Sequence, residues 1–548
     1  MTHGSRLLRR LEDLAREAPA RRLLLGRGLF CDEQEWSAAQ LWQAIEAQAG
    51  RLSRSGVAHL GLLGSNCPRW IIAQLGAWRA GIAVTPVPTF FSAQQLAHLL
   101  DTTRLDGVIG DGSRELGDYL GADHAQRFHE LGVEDTLRLW RRDGDVAALP
   151  VGTALVTFTS GTTGAPKGVC LSLDHLESVL DGLDERLAGI ALGRHGVVLP
   201  LAILLENLAG VLLALWQGRE AVIDGGDRVG MRGSGDLDAL CWKAWLQWRR
   251  PQSLILVPGL LRALVAITSK MGPDLPQCCS AWRQSLVLVA VGGGHVSKAL
   301  LADAVNCGLP VAQGYGLSEL GSVVCLTRPE EEQNGAVGRP LAGLALERDD
   351  EGEIHIHGRR MLGYLGADEE DTAKAWPSGD LGSFHVNGGW RIEGRSRDVL
   401  ILDSGRNLSP EWLESELSVL PGVSRAVVFG DGLPGPLALL TLKDELAGEE
   451  ARLTQALACL GRRLPDYARL RGWRILTPGV DSEAGAPLTT FNDEVTANGR
   501  LRRDMILLHH GGVMAELAAE TFPPAGAASG DPRCPIAPVS YPGMGDVP

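Results

Sequence analysis

The sequence predicts an α/β protein built on parallel sheets covered by helices, and three observations predict it. The chain has 548 residues, too many for one core, so two or three domains are expected. From Val57 onward, short apolar runs alternate with stretches of helical spacing, the pattern of parallel strands joined by helical crossovers. The third observation is an apolar, β-branched run at 155–158 that breaks into a loop of glycines and hydroxyls. A strand ending in such a loop lets backbone approach a ligand closely. Hydrophobic residues make up 45% of the chain, which suits a well-buried globular protein.

The elements follow in order. Residues 5–17 place Leu7, Leu8, Leu11 and Leu14 on one face, as in an amphipathic helix rather than a signal peptide. Residues 57–63 and 82–87 read as strands. Residues 68–79 and 91–100 read as helices, the first through Trp70, Ile71, Leu75 and Trp78. Residues 197–216 are apolar enough to suggest a membrane span, but Pro200, Glu206 and Asn207 favour a buried strand and helix. A strand at 254–257 precedes Pro258 and a helix, and the strand at 286–291 ends in Gly292, Gly293 and Gly294. Residues 335–341 and 352–358 read as short strands of a β-rich subdomain. His355 and His357 share one strand face there, and with no third ligand beside them a solvated face is expected. Strands at 423–429, 437–442 and 474–476 and a helix at 449–464 form a compact α+β domain. Residues beyond Met514, rich in Pro, Gly and Ala from Pro523 on, read as a disordered tail.

The loop after 155–158 carries the chemistry. Thr159, Ser160, Thr162 and Thr163 offer hydroxyls, Gly161, Gly164 and Gly168 free the backbone, and Lys167 adds a positive charge. Exposed amides, hydroxyls and an ammonium together suit a polyphosphate. The Gly-x-x-x-x-Gly-Lys-Ser/Thr spacing is absent, so this is no Walker loop; the alternative is a mobile surface loop. The stretch 156–169 resembles the phosphate loop of the adenylate-forming enzymes: acyl- and aryl-CoA synthetases, peptide-synthetase adenylation domains and luciferases.

Further motifs come in that family's order. Residues 199–207, Leu-Pro-Leu-Ala-Ile-Leu-Leu-Glu-Asn, resemble the region lining the acyl pocket of long-chain acyl-CoA synthetases, with Ile203 where those carry histidine. The apolar wall Ile203, Leu204 and Leu205 suits an aliphatic chain, and a plain core helix start explains the same side chains. Tyr315-Gly316-Leu317-Ser318-Glu319 resembles the family's Tyr-Gly-x-Thr-Glu. It implies Tyr315 and Gly316, with Gly292–Gly294, against the adenine, Ser318 as the hydroxyl, and Glu319 holding Mg²⁺. Ser378-Gly379-Asp380 resembles Thr-Gly-Asp, which implies that Asp380 clamps the ribose hydroxyls. Gly394-Arg395-Ser396-Arg397 resembles the hinge, with Arg395 toward the ribose and phosphates and Arg397 at the pivot. Residues 496–503, Thr-Ala-Asn-Gly-Arg-Leu-Arg-Arg, resemble the final Asn-Gly-Lys, but Arg500 stands where the family has lysine. Arginine keeps the charge, yet its planar fork is not interchangeable with an ammonium.

The resemblance covers about residues 20–510. It implies an N-terminal adenylation domain over 1–394, a small mobile C-terminal domain over 395–512, and the tail over 513–548. The implied activity is attack of a carboxylate on ATP to give an acyl-adenylate and pyrophosphate, then thioester formation with coenzyme A. Lys167, Thr163, Glu319 and Arg500 would be catalytic, and a medium- or long-chain fatty acid is the first expected substrate. Transfer to a carrier-protein pantetheine or another nucleophile is one alternative, and a non-catalytic acyl or nucleotide binder, because of Arg500, is another. A net charge of −14 argues against a nucleic-acid partner. Ten scattered cysteines without a Cys-x-x-Cys pair suit buried, reduced thiols in a cytoplasmic protein, with at most transient contact with a membrane surface.

Overall fold

In the computed structural model of the chain, the described residues are 4–27, 33–110, 115–134, 137–159, 166–232, 236–269, 277–332, 334–367, 374–385, 389–404, 406–443, 450–477, 487–489, 492–496 and 500–523. Contacts divide the chain into two units: residues 1–396 with 496–500, and residues 397–495 with 501–548.

Two large sheets organise the first unit. In one, six strands run parallel in the spatial order Arg22–Gly26, Glu220–Val222, Arg194–Gly196, Ser253–Leu256, Leu288–Val291 and Val311–Tyr315. Antiparallel strands close both edges, Gln34–Ser37 at one and Cys325–Leu326 with Arg339–Pro340 at the other. The second sheet has the parallel centre Thr153–Thr159, Ala83–Pro86, His59–Leu62 and Gly107–Gly110. Beside Thr153–Thr159 lie the antiparallel strands Lys167–Ser172 and Gly363–Tyr364. Covered on both faces, parallel strands such as Leu288–Val291 read as continuous apolar runs rather than alternating ones.

Helices cover the sheets where spacing predicts them. The helix Pro68–Arg79 starts with proline in its first turn, where the missing N–H costs nothing, and buries Trp70, Ile71, Leu75 and Trp78. The helix Arg6–Glu17 buries Leu7, Leu8 and Leu11, with Ser5 capping its first turn. A four-stranded antiparallel sheet, Ala345–Arg348, Glu353–His357, Trp376–His385 and Gly389–Arg395, forms the β-rich part.

The second unit is α+β. Strands Val423–Phe429, Leu437–Leu442 and Gly472–Ile475 form its sheet, with helices Pro410–Ser418, Glu450–Arg463 and Arg503–Thr521. Leu413, Leu417, Val428, Leu440, Leu453 and Leu460 build one apolar cluster there.

Three sequence expectations change. Residues 513–521, read as tail, continue a helix, because Met514 and Leu517 are buried against the sheet's other cluster; residues 524–548 lie outside the described residues. Of the stretch 335–341, Arg339–Pro340 pairs with Cys325–Leu326 and so belongs to the large sheet, although Gly338 bridges to Trp390 of the β-rich part. Not every cysteine is buried: Cys67, Cys170 and Cys325 are, but Cys459 is exposed. Among the described residues no helix is long and apolar enough to cross a membrane.

Candidate active site

In open parallel sheets, ligands bind beyond the carboxyl ends of the strands. Several of the residues singled out by sequence lie there. Gly292–Gly294 follow the end of Leu288–Val291, and the neighbouring parallel strand ends at Tyr315, with Val291 registered on Gln313. Gly293 has a φ of +79°, a conformation open to glycine at no steric cost. At Gly316 a Cβ would come within 1.8 Å of the Ser322 carbonyl oxygen, so the tight return of its own loop already demands glycine.

The strands Thr153–Thr159 and Lys167–Ser172 form a hairpin in which Thr159 faces Lys167. Ser160, Gly161, Thr162, Thr163 and Gly164 lie outside the described residues. Gly168, behind the exposed Lys167, packs against Leu365, Phe158 and Val156. The Lys167 ammonium stands 5.2 Å from the centre of the Tyr364 ring, at cation–π distance. The Tyr364 hydroxyl donates to Glu319 Oε1 at 2.8 Å. Glu319 lies in the short 3₁₀ turn Ser318–Leu320, anchored by fully buried Leu320. One aromatic side chain therefore touches both the cationic and the anionic group that sequence assigned to the phosphates. A hard carboxylate oxygen and an ammonium held by one ring fit Mg²⁺ bound to a polyphosphate, and among the described residues of this set there is no soft ligand.

A second constellation gathers around Asp380. Its Oδ2 accepts from the Tyr315 hydroxyl at 2.6 Å, and its Oδ1 lies 3.0 Å from Arg395 Nε. Burial first, then the Asp380 charge, pushes the Tyr315 phenol well above its ordinary value of 10. Ser378 orders the turn by accepting from the Asp380 N–H at 3.0 Å. Gly379 adopts φ +71° and donates its N–H to Glu353 Oε1 at 2.8 Å. Glu353 also belongs to a group, with Asp349 and His355, whose ligand atoms lie within 4.8 Å of one another, which the spacing of His355 and His357 alone did not reveal. Protein partners already account for it: Asp349 accepts from the Glu353 N–H and pairs with His355, and His357 pairs with Glu347.

The stretch 199–207 is held by buried polar bonds. Asn66 accepts from the Leu201 N–H and donates to the Leu199 carbonyl. Asn207 exchanges amide bonds with Gln74 of the helix Pro68–Arg79. Glu206, fully buried, accepts from the Val198 and Leu199 amides and meets His195 at 2.7 Å, while His195 meets Ser253 at 3.0 Å. Instead of a strand followed by a helix, residues 205–212 form a π-helix that passes into the α-helix Leu213–Trp216, a wide geometry that recurs at functional sites. The three expected wall residues diverge. Leu204 is buried in the main apolar cluster, half-buried Leu205 packs against it, and Ile203 is half-buried. A Cβ added at Gly292 would meet Leu205 Cδ2 at 4.0 Å, so Leu205 faces the strand end beside the candidate nucleotide site.

Arg397 opens the second unit, directly after Ser396. Contacts group residues 496–500 with the first unit, where Arg500 Nε donates to the Gly293 carbonyl at 2.8 Å. Sequence reading missed Tyr364, Trp376, Gln74 and His195. Only the aromatic character of Tyr364 and Trp376 in a short β-rich stretch could have signalled the first two.

The family model for the AMP-binding enzymes matches residues 11–365. The chain belongs to the AMP-binding enzyme family. It is thus an adenylate-forming superfamily member, and its fold is that of adenylate-forming synthetases. A long-chain-fatty-acid–CoA ligase of Mycobacterium bovis is 28% identical over 442 residues, covering 69% of this chain and 71% of its own. O-succinylbenzoate coenzyme A synthetase from Bacillus subtilis, solved with AMP, superposes with a TM-score of 0.68 at 21% identity, over 90% of this chain and 97% of its own. An amide bond synthetase from Marinactinospora thermotolerans superposes with a TM-score of 0.68 at 20% identity, over 92% and 99%.

Proposed function

We propose that this AMP-binding enzyme joins a medium- or long-chain fatty acid to coenzyme A through an acyl-adenylate. The contact of Tyr364 with both Lys167 and Glu319 carries the reading, because it gathers a cation and a carboxylate suited to a metal around one side chain. A carboxylate is a poor electrophile, since oxide is a bad leaving group. Attack of one carboxylate oxygen on the ATP α-phosphorus forms the mixed anhydride, and the bond to pyrophosphate breaks. Lys167 and the loop hydroxyls, Thr163 among them, neutralise charge building on the departing phosphates. Mg²⁺, held by Glu319, supplies further charge neutralisation when bound. Asp380 takes the ribose hydroxyls, and Arg395 orients Asp380. Arg500 steadies the acid's carboxylate for attack. In the second half-reaction, a thiolate attacks the acyl carbon and AMP leaves, after the small domain turns about Arg397.

The fatty-acid reading rests on half-buried Ile203 and Leu205 and on the ligase named above. Each buried methylene contributes about 0.8 kcal/mol, so affinity should climb with chain length until the pocket is filled. Acid-dependent ATP–pyrophosphate exchange over an aliphatic and an aryl series tests this, with mass detection of products from coenzyme A, a pantetheine carrier and simple amines. Better activation of benzoate-type acids than of octanoate through palmitate would overturn the chain-length reading. Amide rather than thioester products would overturn the acceptor.

A further inference from the structure

The segment 361–365 ties the strand Lys167–Ser172 to the turn Ser318–Leu320, about 150 residues apart in sequence. Gly363 and Tyr364 pair antiparallel with Cys170 and Val169. The Leu362 N–H donates to the Cys170 carbonyl at 2.8 Å and the Leu365 N–H to the Gly168 carbonyl at 2.7 Å, while the Met361 N–H donates to the Glu319 carbonyl at 2.7 Å. Backbone bonds thus fix Tyr364 against both the strand that leaves the phosphate loop and the turn that carries Glu319. Its own side chain repeats the link, through the hydroxyl to Glu319 Oε1 at 2.8 Å and the ring to the Lys167 ammonium at 5.2 Å. Trp376 supports the ring, centroid to centroid 6.4 Å.

We propose that Tyr364 is a positioning residue of adenylation, an inference that rests on the roles given above to Lys167 and Glu319. A carboxylate that accepts one hydrogen bond on Oε1 is fixed in orientation, yet keeps Oε2 and a further lone pair for a cation. Partners that orient a metal's ligand typically change metal affinity or activity 10–100-fold when removed. The ring face gives the lysine ammonium a resting place that draws it toward the same point. One side chain therefore sets the separation of the two groups that meet the polyphosphate.

The test is ATP affinity by calorimetry without any acid, so that no turnover occurs, at saturating Mg²⁺ and with the metal chelated. Wild type, Tyr364→Phe, Tyr364→Leu, Glu319→Gln and the double variant Tyr364→Phe/Glu319→Gln are compared. Tyr364→Phe keeps the ring, so it should melt like wild type and bind metal-free ATP within about twofold. With Mg²⁺ it should bind about tenfold more weakly, and in the Glu319→Gln background it should add no further loss. Tyr364→Leu should also weaken metal-free ATP, because Lys167 loses the ring. A full Tyr364→Phe loss in the Glu319→Gln background, or no loss in wild type while Glu319→Gln is impaired, overturns the positioning role alone. A Glu319→Gln variant with wild-type metal dependence overturns the reading of Glu319 itself.

Discussion

Replacing Asp380 with asparagine tests the candidate ribose site most directly. The carboxylate has two engaged oxygens: Oδ2 takes the Tyr315 hydroxyl at 2.6 Å, and Oδ1 lies 3.0 Å from Arg395 Nε. Asparagine keeps one acceptor and turns an NH₂ toward the other partner. If the amide faces Tyr315, the phenol can rotate and accept; if it faces Arg395, two donors oppose each other, so the side chain settles the first way. The charge is lost in either case, and hydrogen bonds to charged groups contribute about 1.5–3 kcal/mol each. Losing that strength toward the ribose hydroxyls should weaken ATP binding about 10- to 100-fold. The Tyr315 phenol gives an independent readout. Burial and the Asp380 charge both hold its proton, burial the more strongly, so Asp380→Asn should lower its titration but leave it above 10. The sign for stability follows: with the folded value raised, this contribution is complete below pH 10 and is lost as pH rises through the folded value. Phenolate absorbance of the variant, with Tyr315→Phe identifying the signal among the five tyrosines, measures the shift, and calorimetry measures ATP. Unchanged ATP affinity together with an unmoved phenol would refute the reasoning, whereas a moved phenol with wild-type ATP affinity would leave Asp380 a structural partner only.

Lys167→Ala should lower acid-dependent pyrophosphate exchange about 10²–10³-fold, as loss of one charge-stabilising contact does, with thermal melting preserved because the side chain is exposed; near-normal exchange would remove it from the site. Arg500→Ala should suppress adenylate formation yet spare thioester formation from supplied acyl-adenylate, and Arg500→Lys separates charge from geometry. Equal damage to both half-reactions would count against two separate steps, and losses within about twofold would make Arg500 an ordinary surface residue. Glu206→Leu should destabilise the first unit by about 3–5 kcal/mol, because it strands His195 and two buried amides. Its unfolding midpoint should fall further than that of Glu206→Gln, which keeps an acceptor, and equal midpoints would discount the buried network.

The fold was legible where one segment carries its own instructions. The helix Pro68–Arg79 has proline at its start, apolar residues at helical spacing and Gly81 in the left-handed conformation just beyond its end. The strand Leu288–Val291 and the last three residues of Ser253–Leu256 are unbroken apolar runs, as strands covered on both faces tend to be. Arg339–Pro340 was harder: a two-residue strand takes its identity from its partner, Cys325–Leu326, which no local pattern reveals. The π-helix at 205–212 was not legible either. Glu206 and Asn207 argue locally against a membrane span, but their partners His195 and Gln74 are reached only through the fold.

The candidate site divides along the same line. Motifs that bend sharply or present charge stand out by residue type, so Gly292–Gly294 and Lys167 drew notice in the sequence, while Glu319 and Asp380 were singled out through the resemblance of their motifs. Tyr364 could not, because its chemistry depends on distance: it lies 45 residues from Glu319 by sequence and 2.8 Å by hydrogen bond. A tyrosine in a two-residue strand is most simply a packing residue, and only the backbone bonds of Leu362 to Cys170 and of Met361 to Glu319 set its hydroxyl against a carboxylate. The side chains that make a phosphate site work are therefore of two kinds. Some meet the ligand and have to be particular residues, while others fix where those residues stand and need only reach them. The second kind is specified by the pairing of distant strands, which is why Tyr364→Phe, a change of one oxygen atom, is the substitution that separates them.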